Sequence, residues 1–93
     1  MNLGTFIKQP VDVADYDILY TDWLSEGDQL VLANYLVEPN TDLAVNNLDI
    51  VGDRLKIWVA GGVSGASYKL TCTVTTLGGR VRQDEFKIKV KDF

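Results

Sequence analysis

A chain of 93 residues with 46% hydrophobic content has the length of one domain and the composition of a folded one, which excludes a disordered tail. One cysteine, Cys72, excludes an internal disulfide, and the lack of histidine removes the commonest general base, nucleophile activator and transition-metal ligand. The net charge of −4 is unevenly placed: residues 1–53 carry ten acids against Lys8 alone, and residues 54–93 carry eight bases against three acids.

The first residues, Met1 to Lys8, lack the basic-then-apolar order of a secretory signal, and no apolar run approaches the ~20 residues that cross a bilayer. Synthesis and folding in a reducing cytoplasm are therefore expected, with no membrane partner. Residues 1–10, up to Pro10, have weak periodicity and read as an N-terminal arm or an edge strand. Residues 11–93 read as the domain proper.

In Tyr16, Ile18 and Tyr20, alternating with Asp15, Asp17 and Leu19, the period of two predicts a strand with one dry face. Gln29 to Val37 is apolar on both faces, the pattern of a central strand, and Pro39 and Asn40 end it. Short strands are expected over Leu43 to Val45 and over Asn47 to Ile50. A Gly52-Asp53 turn then leads into Arg54 to Ala60, where Leu55, Ile57 and Val59 oppose Lys56 and Trp58. The cleanest alternation runs from Ser67 to Thr75, with Tyr68, Leu70, Cys72 and Val74 on one face. A second clean run places Phe86, Ile88 and Val90 opposite Lys87, Lys89 and Lys91. Gly78-Gly79 between these two supplies the positive φ of a tight hairpin. About seven short strands with regular turn signals and no helical period predict an all-β, immunoglobulin-like antiparallel sandwich. Gly65-Ala66-Ser67-Tyr68 supports it, as the turn and corner tyrosine that open the sixth strand of such folds.

The charge asymmetry has a simple reading. If the early strand lies beside the last one, Asp15 and Asp17 form cross-strand pairs with Lys87, Lys89 and Lys91. A second reading packs copies acidic side against basic side. Asp12, Asp15, Asp17 and Asp22 are oxygen ligands of the kind Ca²⁺ takes, but no twelve-residue loop with a central glycine holds them, and no metal or cofactor is expected. The net negative charge speaks against nucleic acid. Cys72 falls among core residues, and Trp23 is placed to cap one end of the core. Trp58 stands opposite the apolar face and, if exposed, is a candidate interface anchor.

Tyr16-Asp17-Ile18, Asp22-Trp23-Leu24, Gly27-Asp28, Trp58, Gly61-Gly62, Gly65-Ala66-Ser67-Tyr68 and Thr75-Thr76-Leu77-Gly78-Gly79-Arg80-Val81 occur in order. In this the chain resembles the fiber-tail adaptor proteins of tailed bacteriophages, over roughly residues 6–91, with Val59 after Trp58 where the family pattern has leucine. The resemblance implies a non-enzymatic virion protein of the tail, in several copies forming a ring, that joins the tail tube or nozzle to the tail fibers. Phe6 and Ile7 in the arm, Trp58 on a sheet face, and Arg80 and Arg82 at the hairpin are then the expected contacts. The rival expectation is an immunoglobulin-like module that binds carbohydrate or another surface through an exposed aromatic platform.

Overall fold

A computed structural model describes residues 2–92, and every regular element in it is a strand. In chain order these are β1 (Asn2–Lys8), β2 (Ala14–Leu19), β3 (Leu30–Glu38), β4 (Leu43–Val51), β5 (Arg54–Gly61), β6 (Ser67–Thr76) and β7 (Val81–Val90). They form two sheets, one of four strands in the order β1-β7-β6-β3 and one of three in the order β2-β5-β4. All pairings are antiparallel except β1 with β7, which is parallel. Strands two, five and four opposite three, six and seven is the arrangement of an immunoglobulin sandwich, with the first strand set beside the last.

The two alternating runs built the core as their period requires. Tyr68, Leu70, Cys72 and Val74 of β6 and Phe86, Ile88 and Val90 of β7 are buried, facing Leu55, Ile57 and Val59 of β5. The corner tyrosine is in place: the Val63 N–H donates to the Tyr68 hydroxyl over 3.0 Å, closing the loop that enters β6. The turn before it needs its glycines. A Cβ on Gly61, at φ 77°, would stand 2.5 Å from the Asp42 carbonyl oxygen, and one on Gly62, at φ 97°, would stand 2.6 Å from Val90 Cγ2. The Glu38–Pro39 peptide after β3 is cis.

Three expectations need correction. The two short strands over 43–45 and 47–50 are one strand, β4, whose register shifts between Val45 and Asn47, so the bulge there broke the alternation. The early strand β2 does not lie beside the last one; it pairs with β5, and β1 takes the place beside β7. The segment 29–37 is not central either. As β3 it is the outer strand of its sheet, bonded to β6 on one side only.

Candidate interaction surface

The outer face of the three-stranded sheet is charged and paired within itself. In register, Asp15 stands opposite Trp58 and Asp17 opposite Lys56. Lys56 Nζ lies 3.0 Å from Asp15 and 3.4 Å from Asp17, while Arg54 reaches Asp17 over 3.6 Å. The hydrogen bond from Lys56 holds the Asp15 carboxyl below its ordinary pKa and the Lys56 ammonium above its own. The acids of β2 thus answer bases on β5, and the ladder expected with Lys87, Lys89 and Lys91 does not form. Lys87 and Lys89 instead flank Thr5 and Ile7 of β1. Trp58 is half-buried between Asp15 and Asn47, with Lys56 Nζ 5.8 Å from its ring centre.

On β1, side chains divide by face. Phe6 turns toward the second sheet, 5.1 Å from the Tyr16 ring and 5.9 Å from Phe86, and Ile7 turns outward and is 59% exposed. Between β1 and β2 lies a groove of about 420 Å³, lined by Leu3, Phe6, Tyr16, Ile18, Leu19 and Phe86, with Asp15 and Asp17. Lys8 is buried at the end of β1, its Nζ donating to the carbonyls of Gln9 and Gly61 over 2.7 and 2.6 Å. Burial holds its pKa below the ordinary lysine value, against the opposing pull of Asp12.

Arg80 and Arg82 serve the loop between β2 and β3. Arg80 Nη1 donates to the Trp23 carbonyl over 2.8 Å and to Ser25 Oγ over 3.0 Å, and its guanidinium lies 4.4 Å from the Trp23 ring centre. Arg82 Nε donates to Asp84 over 3.0 Å, and the guanidinium lies 5.6 Å from Trp23 and 6.0 Å from Tyr20. Trp23 in turn meets Tyr20 edge-on, so it closes this end of the core. Among the described residues, the buried Tyr20 hydroxyl has no hydrogen-bond partner. Burial raises its pKa, and burial with the nearby Asp84 pushes the Cys72 thiol up to about 11.

The surface that sequence reasoning missed is β3. Val31, Leu32, Tyr35 and Leu36 are 47%, 54%, 47% and 54% exposed, and the outer edge of the strand pairs with nothing among the described residues. Leu32 and Leu36 share the outward face with Thr75 and Thr71 of β6. Tyr35 stands in register with the fully buried Cys72, yet is itself half exposed. Part of the signal was present in the sequence: a strand apolar on both faces calls for cover on both.

Comparison with known proteins bears on what such a surface serves. The model of one protein family, described as podophage GP4 fiber-tail adaptor protein gp77, matches residues 8–89. No curated protein matches the chain.

Proposed function

The chain belongs to the podophage GP4 fiber-tail adaptor protein gp77 family, and from that premise we propose that it joins the phage tail tube or nozzle to the tail fibers through protein–protein contacts alone, without catalysis. The observation that carries this reading is the span of the match, residues 8–89, which runs from the last residue of β1 nearly to the end of β7 and so takes in six of the seven strands, β2 to β7. A paired, closed core suits the task, because a rigid body fixes the angle between what it binds on either side. Several copies around the tail axis would multiply contacts that are individually weak. Phe6 and Ile7 at the β1 edge and Trp58 on the opposite sheet are contacts we assign to neighbours. Arg80 and Arg82 act through the loop they hold.

The test is to assemble particles without this protein and to count fibers. The expected result is tails that are otherwise complete but bare, restored by adding the full chain. Fully fibered particles in its absence would end the reading. Specific glycan affinity of the chain, together with normal fiber attachment in its absence, would favour the carbohydrate-binding alternative. A chain lacking residues 1–10 separates the arm from the rest: loss of incorporation assigns contacts to β1, and normal incorporation removes them.

A further inference from the structure

Each sheet of a sandwich has two edges, and three of the four here carry a device that discourages pairing. β2 is six residues long and bears Asp15 and Asp17. β4 is broken by its bulge and bears Asp49. β1 shifts register between Asn2 and Thr5, with Gly4 at φ 122°. β3 differs: from Leu30 to Val37 it has no charge, no proline and no glycine, and its register shifts only between Leu30 and Leu32. Beyond that shift, an uncharged and mostly apolar edge left bare is an aggregation hazard.

We propose that β3 is a docking edge that receives an extended segment of another tail protein as a fifth strand of the four-stranded sheet. The proposal rests on the adaptor reading above and names the kind of contact it uses. Backbone groups of β3 would bind the segment, and its side chains would alternate between the Leu32/Leu36 face and the Tyr35 face.

Charge selects the occupant. The chain enters β3 through Glu26 and Asp28 and leaves through Glu38 and Asp42. Arg80 lies near Asp28, and Lys69 bridges Glu38 and Glu85, each over 3.6 Å, so the acidic excess is carried by Glu26 at the first end and Asp42 at the second. A second β3 laid antiparallel would bring the entering acids of one copy against the leaving acids of the other, an arrangement that like charges disfavour. β1 of a second copy fits no better, since its edge is bulged and its one base, Lys8, is buried in its own domain. The segment that fits is uncharged over about six residues, a usual strand length, with lysine or arginine at its flanks.

The test uses the full chain, free and bound to tails purified from particles lacking it. Amide exchange across residues 31–36 should slow at least tenfold on binding, and a photo-crosslinker on Leu36→Cys should capture a different tail protein. The double variant Leu32→Lys/Leu36→Lys should keep the melting temperature and bind tails at least tenfold more weakly. Unchanged exchange in a chain that does bind, or undiminished binding by the double variant, would overturn the docking edge and leave the adaptor reading intact. Capture of a second copy would overturn the choice of occupant. No binding to tails at all would overturn both readings.

Discussion

β6 and β3 are hydrogen-bonded neighbours, and both carry rows of large apolar side chains, yet they sit in opposite environments. Leu70 of β6 is fully buried, whereas Leu36 of β3 is 54% exposed. From Tyr68 to Thr75 β6 alternates between apolar residues and threonine or lysine, so its own domain needs to cover only one face. β3 is largely apolar on both faces and, among the described residues, pairs with no strand on its far side. A doubly apolar strand therefore signals cover on both faces without saying whether the cover comes from its own chain. Here the sequence pattern of a central strand is carried by an edge strand.

Substitutions on the two strands test this difference most strongly. Leu70→Ala leaves a cavity in the closed core and should cost roughly 2–5 kcal/mol, read from the denaturant midpoint at constant slope. A cost near zero would mean that β6 is not the strand around which the sheets close. Tyr68→Phe strips the Val63 N–H of its acceptor, and a loss of about 1–3 kcal/mol is expected. Arg80→Ala removes the clamp on Trp23 and should cost about 1–2 kcal/mol, with a change in tryptophan fluorescence that reports the loosened loop.

Acid should touch the charged parts of the molecule and not β3. Asp15 and Asp28 have folded pKa values below the ordinary 3.8, held down by Lys56 and by the Gly78 N–H respectively. Their contribution is then full above about pH 4 and is lost as pH falls through the depressed values. Melting temperature should be level from neutral pH to about 4 and drop below it, and Asp28→Asn should shrink that drop. The smallest effect is expected on β3 itself: Leu36→Ser should change stability by no more than about 0.5 kcal/mol. A large loss there would place Leu36 in the core and remove the contrast with β6.

How far the sequence was legible follows the same division. The hairpin β6–β7, the corner at Tyr68, the Gly52-Asp53 turn and the cap at Trp23 were readable because alternation and turn residues are local signals. The placing of β2 was not, because Asp15 and Asp17 would satisfy any basic neighbour, and the sequence offers bases on both β5 and β7. The merger of the two halves of β4 was hidden by a bulge that shifts the period by one residue. Of the contact residues, Ile7 is where an outward anchor would be, whereas Arg80 and Arg82 turn inward onto aromatic rings, a pairing between segments more than fifty residues apart that no local pattern announces.

The central claim is that this sandwich works by being held between other tail proteins, with its bare edge filled. A density map of assembled tails with this chain in place tests it most directly. The expected map shows the sandwich between the tail body and the fiber, with an added strand running beside β3. A map in which fibers join the tail elsewhere while Leu32 and Leu36 face open solvent would contradict the account.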